Sequence, residues 1–163
     1  MGLAINGMTV QAWNNVYFNN NACRKVVYNN AVIWAKALEI FSNGTSYYGK
    51  PYLQVGNGYV NTTSGYNSIY ISSNSGDVYG ALPSPIDTTG FSMLKWTYIA
   101  ATASKAYVGV GSVKDSTNCT NLHESTPPAL LTEYFCYVPS NSPVYVKFRV
   151  TDGFAYINHI WLE

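Results

Sequence analysis

Between Val144 and Val150 apolar and polar side chains alternate without a break. Val144, Val146, Phe148 and Val150 fall on one side, and Tyr145, Lys147 and Arg149 on the other. Successive side chains of a strand point to opposite faces, so this segment reads as a strand with one face on a core and the other toward water. The same period recurs along the chain. From Met93 to Ala101, Leu94, Trp96 and Tyr98 share one face, and Met93, Lys95 and Thr97 the other. Ala106–Val110 reads as its neighbour, and Ala155–Leu162 closes the chain after a turn at Thr151-Asp152-Gly153. Ala35–Phe41 is the only short helical candidate, and it runs into the turn signal Ser42-Asn43-Gly44. Repeated short strands divided by turn residues indicate an all-β fold, a sandwich or barrel.

The remaining strands follow the same logic. Leu38–Phe41, Tyr52–Val55 and Ser68–Ile71 are separated by Gly, Asn and Ser, with Gly56-Asn57-Gly58 read as a turn. Pro83-Ser84-Pro85 enforces an extended connection. Residues 116–128 read as a long surface loop. Near the N-terminus, Arg24–Tyr28 and Ala31–Ala35 flank Asn29-Asn30. Asn tolerates the positive φ of a type I′ turn, so this is a hairpin. Asn6-Gly7 is a second tight turn, and residues 9–18 a looser strand pair. A sheet this small is marginal alone and needs a partner surface. The chain therefore divides into an N-terminal β-hairpin unit, residues 1–37, and a jelly-roll β-sandwich, residues 38–163. At 163 residues, with 47% hydrophobic composition, it is long enough to bury a core without staples.

Charge excludes several functions. Only 10% of residues are charged, and the net charge is +1. The basic residues are scattered, with no stripe of the kind nucleic-acid binding leaves. Low net charge promotes association, which favours a homo-oligomer. No apolar stretch approaches the roughly 20 residues that span a membrane. The first residues lack the basic and apolar regions of a signal peptide and the Ser or Thr of a myristoylation signal. Three Asn-x-Thr triplets, beginning at Asn43, Asn61 and Asn118, are what an Asn- and Thr-rich chain produces by chance. The cysteines Cys23, Cys119 and Cys136 show neither a CxxC nor metal-site spacing. They read as ordinary thiols, with a Cys119–Cys136 bridge left open. No cofactor or metal is expected.

A catalytic constellation needs placed acids, bases or nucleophiles, and none stands out. Asp77, Asp87 and Asp115 lie in or near expected turns, where Asp caps its own backbone. No carboxylate pair suggests a glycosidase, His123-Glu124 lacks partners, and no GxSxG elbow occurs. The chain reads as a non-enzyme. The aromatics say more. Tyr47, Tyr48, Tyr52, Tyr59, Tyr66, Tyr70 and Tyr79 cluster amid Asn, Gly and Ser, the composition of a recognition surface. Aromatic rings stack on the apolar faces of sugars while amides pair with hydroxyls. Tyr47, Tyr48, Tyr52, Tyr59 and Tyr66 are accordingly the candidate glycan contacts. The same tyrosines would also serve as ordinary strand residues or subunit contacts. Val27, Tyr28, Val32 and Trp34 of the hairpin are the candidate assembly interface.

Two stretches carry a resemblance. Residues 24–36, Arg-Lys-Val-Val-Tyr-Asn-Asn-Ala-Val-Ile-Trp-Ala-Lys, resemble a hairpin near the N-termini of phage and prophage tail or virion proteins, with Asn30 where glycine is usual. Residues 86–95, Ile-Asp-Thr-Thr-Gly-Phe-Ser-Met-Leu-Lys, resemble the entry to a long strand in jelly-roll domains of such proteins. Tyr107–Val113 and Ile157–Glu163 match the later part of that pattern. These domains are similar to galactose-binding-like and carbohydrate-binding modules. The resemblance implies a virion structural or decoration protein of tail, baseplate, head fibre or capsid. It would be made in the bacterial cytoplasm, attached through the N-terminal unit to other virion proteins, with the sandwich displayed outward. It supplies no ligand residues. The alternative reading is an adhesin or carbohydrate-binding module that contacts host-surface sugars.

Overall fold

The structure, a computed structural model, describes residues 4–5, 8–9, 16–18, 21–23, 25–28, 31–35, 37–125, 129–139 and 142–163. The described residues contain strands and no helix. Six short strands come first: β1 (Ala4–Ile5), β2 (Met8–Thr9), β3 (Val16–Phe18), β4 (Asn21–Cys23), β5 (Lys25–Tyr28) and β6 (Ala31–Ala35). They pair as three separate two-stranded sheets, β1 with β2, β3 with β4 and β5 with β6. The expected hairpin is present, with Tyr28 opposite Ala31 and a bulge between Val26 and Val27. Ile5 opposite Met8 leaves two residues for the tight turn at Asn6-Gly7. Of residues 9–18, expected to hold a looser strand pair, Val16–Phe18 pairs forward with Asn21–Cys23, and residues 10–15 lie outside the described residues. Asn29, Asn30, Asn6 and Gly7 lie outside the described residues.

Ten strands build the rest: β7 (Leu38–Ser42), β8 (Thr45–Ser46), β9 (Tyr52–Thr63), β10 (Ser68–Ala81), β11 (Ile86–Asp87), β12 (Met93–Ala101), β13 (Lys105–Gly111), β14 (Thr120–Ser125), β15 (Glu133–Tyr137) and β16 (Pro143–Leu162). All pairings are antiparallel, and together they make a single strongly curled sheet. Two long strands, β10 and β16, form its spine. The C-terminal half of β16 pairs β12 on one side and β10, then β7, on the other. Its N-terminal half pairs β13 on one side and β10, then β11, on the other. The two halves close over one core, and the result is a jelly-roll β-sandwich.

The crease between the halves is where the sequence reading needs correction. Thr151-Asp152-Gly153 is not a chain reversal but a bend inside the 20-residue β16. Gly56-Asn57-Gly58 is not a turn but an irregular stretch of the 12-residue β9. The register of β10 slips at the same level, between Ser73 and Asp77. Positive φ at Gly56, Gly76, Asp152 and Gly153 lets each strand bend there. The β12–β13 connection seals the crease, with Thr102 and Ala103 N–H groups donating to the Phe154 carbonyl and Ser104 N–H to that of Thr151. Bulges and glycines are the usual devices for folding a sheet over on itself. In sequence they are indistinguishable from turn signals, because both need the same φ.

The core follows the alternation. Leu94, Trp96 and Tyr98 are fully buried, as are Val146 and Val150, with Val144 and Phe148 all but buried. Burial of each such side chain contributes about 1.5–3 kcal/mol. Residues 116–128, expected as a loop, carry β14 at Thr120–Ser125. Lys147, expected to face water, is 1% exposed. The segment after Gly111 folds over it, and the Lys114 carbonyl accepts hydrogen bonds from the Lys147 ammonium, from Gln54 Nε2 at 2.8 Å and from the Tyr52 hydroxyl at 3.3 Å. Burial holds the Lys147 amine below its ordinary pKa.

Candidate functional site

Register decides which side chains share a face. Ile69, Ile157 and Thr62 lie in one cross-strand row on the core side. The next row, on the outer side, is therefore Asn61, Tyr70, Tyr156 and Ala100, and the row beyond it Tyr59, Ser72 and Phe154. The β9–β10 turn adds Tyr66. The rings touch one another: Tyr66 lies 4.6 Å from Tyr156 between centroids, Tyr156 4.8 Å from Tyr70 and 5.4 Å from Phe154. Tyr66 and Tyr59 are 55% and 68% exposed. The touching rings thus run from the β9–β10 turn across β10 and β16, with Tyr59 of β9 in the adjoining row. The Tyr156 phenol is pushed up by burial and then by the neighbouring Tyr70 and Tyr66 hydroxyls.

The surface continues along β16. A bulge at Asn158 brings Asn158 and His159 to the outer side, with Trp161 on the same side but buried, while Ile157, Ile160 and Leu162 stay in the core. The His159 and Trp161 rings stack at 4.2 Å. His159 Nε2 meets Glu39 Oε2 at 2.7 Å. Across β12, Lys95 is held between Glu163 at 2.6 Å and Glu133 at 2.9 Å, and these carboxylates, Glu163 first, raise its pKa. Beyond lie the exposed Phe135 and Tyr137 on β15. Where β7 meets β16, Glu39, Ser42, Asn43, Asn158 and His159 line an open cavity of about 320 Å³.

The five tyrosines singled out in sequence do not form one site. Tyr59 and Tyr66 belong to the aromatic face. Tyr47, 57% exposed, flanks the cavity, its hydroxyl 3.5 Å from Ser42 Oγ. Tyr48 packs against the core. Tyr52 sits on the other half of the sandwich, opposite Ala81, its hydroxyl bonded to the Lys114 carbonyl and to Asp115 at 3.2 Å. Burial first, then Asp115, raises its pKa. Sequence reasoning missed Phe154, Tyr156, Asn158, His159 and Trp161. Their signal was present: polar and aromatic residues alternate with Ala155 and Ile157 on a strand whose other side is core. Val27, Tyr28, Val32 and Trp34 lie on β5 and β6, with Val27 opposite Val32 and Trp34 opposite Val26; their side chains lie outside the described residues.

Two further expectations resolve. Asp87 does cap its own turn, accepting from Thr89 N–H at 2.9 Å and Thr89 Oγ1 at 2.6 Å. Asp77 does not. It lies in β10 and binds Arg149 Nη2 and Thr151 Oγ1, each at 2.5 Å. Those two hydrogen bonds, Arg149 first, hold its carboxyl below the usual range. Arg149 lies between the Tyr79 and Tyr107 rings, 5.3 and 4.8 Å from their centroids. Cys119 and Cys136 are free thiols. Burial pushes them up to about 11 and about 12.

No protein-family model matches the chain, and no curated protein matches it in sequence. Solved structures match its shape. A CBM29-2 variant, from work on ligand recognition by family 29 carbohydrate-binding modules, superposes with a TM-score of 0.55 at 14% identity, covering 79% of this chain and 92% of that one. The apo structure of BiXyn10A CBM1 gives 0.54 at 13%, covering 78% and 95%. A CBM29-2 variant complexed with cellulohexaose gives 0.55 at 11%, covering 78% and 89%. The chain shares their fold. At these identities the likeness is one of architecture, and it agrees with the carbohydrate-binding-module-like jelly roll expected from residues 86–95.

Proposed function

We propose that the chain is a non-catalytic glycan-binding module whose binding surface is the outer face of β9, β10 and β16. The observation that carries this reading is the contiguous cluster of Tyr66, Tyr70, Phe154 and Tyr156. Single exposed aromatics are ordinary on a surface; a patch of touching rings signals a binding site. Asn61 in the same row and Asn158 beside it supply amides for sugar hydroxyls. The similar structures are carbohydrate-binding modules, which favours this reading over a purely structural one. The test is calorimetric titration with soluble oligosaccharides, preceded by a glycan array. Tyr156→Ala should weaken binding by about 2- to 13-fold or more, since a lost aromatic stack removes roughly 0.5–1.5 kcal/mol beyond its area burial. Array silence, or unchanged affinity in a folded Tyr156→Ala protein, would sink the reading.

A second reading rests on the N-terminal strands. Each of the three small sheets pairs only within itself among the described residues, and a two-stranded sheet needs a partner surface. With the hairpin resemblance, this supports residues 1–37 as an attachment unit on a phage particle, carrying the module at residues 38–163 outward. Light scattering of the full chain tests the self-association this implies. Closed oligomers that dissolve on Trp34→Ala support it, and a monomer at all concentrations counts against it.

A further inference from the structure

We propose that the cavity lined by Glu39, Ser42, Asn43, Asn158 and His159 is a subsite that holds one uncharged sugar residue by its hydroxyls and sets the specificity of the adjoining aromatic face. The inference rests on the glycan reading and goes beyond it by assigning a second kind of contact and excluding a class of ligand.

Three observations carry it. The first is position. Asn158 follows the platform residue Tyr156 by two on β16, and the β7–β8 turn leans on the β9–β10 turn, where a Cβ at Gly44 would stand 3.2 Å from Asn67 Oδ1. The cavity therefore adjoins the strand that carries Tyr156 and the turn that carries Tyr66, which puts it within reach of a chain lying on the rings. The second is size. About 320 Å³ is at the lower end of ligand pockets, roughly 300–1,000 Å³, which suits one ring rather than a chain. The third is chemistry. Every lining side chain offers hydrogen-bonding atoms, and the His159 ring rests on Trp161. Asn158 spends its side-chain oxygen on the Thr97 hydroxyl at 2.6 Å, so its amide N–H groups are turned to donation. A carboxylate accepting from one hydroxyl beside an amide donating to the next is a match for adjacent hydroxyls.

Charge selects against acidic sugars. Of the basic side chains on this face among the described residues, His159 is engaged by Glu39 and Lys95 by Glu133 and Glu163. An anionic sugar would meet carboxylates there, and no unpaired basic side chain among the described residues of this face.

The experiment titrates the full chain with neutral hexasaccharides of glucose, mannose and xylose and with a galacturonate hexasaccharide, following the Asn158 side-chain amide by NMR. The expected result is a neutral ligand that shifts the Asn158 amide and binds at least tenfold better than the galacturonate, with at least fivefold loss in Glu39→Gln and Asn158→Ala proteins of unchanged melting temperature. Galacturonate binding as tight as the neutral sugars overturns the charge argument. Affinity within twofold of the parent in both variants, with Tyr156→Ala still defective, overturns the subsite and leaves the aromatic face standing. No binding of any saccharide removes the face and the subsite together.

Discussion

Replacing Gly153 with alanine tests the crease that shapes the candidate site. Gly153 has φ +125°, outside the small left-handed region that L-residues reach. A Cβ there would also lie 2.8 Å from Ala103 Cα and 2.8 Å from the Thr102 carbonyl oxygen. Both are backbone atoms of the connection that seals the crease, so neither can swing away. Backbone strain of about 1–3 kcal/mol and overpacking of about 1–3 kcal/mol give a combined loss of about 2–6 kcal/mol. Gly76 is the control. It is also at positive φ, +65°, but a Cβ there meets nothing within 4 Å. Gly76→Ala should cost only the left-handed penalty, about 1–2 kcal/mol. In a chain of this length each kcal/mol moves the midpoint by about 2–4 °C. Thermal unfolding followed by circular dichroism should place Gly153→Ala clearly below Gly76→Ala. Gly153 directly precedes Phe154, so glycan affinity should fall with it. Equal midpoints for the two variants would refute the claim that close packing at Gly153, beyond its dihedral, holds the two halves in place.

Asp77 should make the fold acid-sensitive. Its carboxyl is depressed by Arg149 and Thr151, so the stability it contributes is complete above its unfolded pKa of about 3.9. That contribution is lost as pH falls through the lower folded value. Asp77→Asn should lower stability at pH 7 and narrow the gap from the parent below pH 4, as read by urea melts across pH. The two thiols, Cys136 buried and Cys119 half-buried, give a second check. With Cys119 raised from 9.0 to about 11 and Cys136 to about 12, alkylation of each at pH 8 should be on the order of 100-fold or more slower in the native protein than in urea, because the thiolate is the nucleophile. Mass spectrometry of the labelled peptides reads this, and equal rates in both states would contradict their burial.

Much of the fold was legible because strand periodicity is local. Alternation at 93–98 and 144–150 named the core side chains correctly, and the hairpin at 25–35 was written in its turn residues. What alternation could not show was continuity. Gly56-Asn57-Gly58 and Thr151-Asp152-Gly153 have the composition of turns, yet the chain bends there without reversing, since backbone hydrogen bonds to β10 resume on both sides. Lys147 illustrates a related limit: its face of β16 was correct by parity, but the segment that covers it comes from residues 112–118, more than twenty-five positions away.

The candidate site was legible only as chemistry. Tyrosine-, asparagine- and serine-rich composition pointed to a recognition surface, and two of the five tyrosines chosen, Tyr59 and Tyr66, lie on it. The rest of the face comes from β16, where Phe154, Tyr156, Asn158 and Trp161 read individually as strand residues. The sequence by itself determined that the chain is all-β, which side chains are core, and that aromatic rings and amides are its available contacts. Only the tertiary structure decided which rings meet. A cross-strand neighbour is set by the register of a partner some eighty residues distant, and a one-residue slip, such as the bulge at Asn158, moves every later side chain to the opposite face.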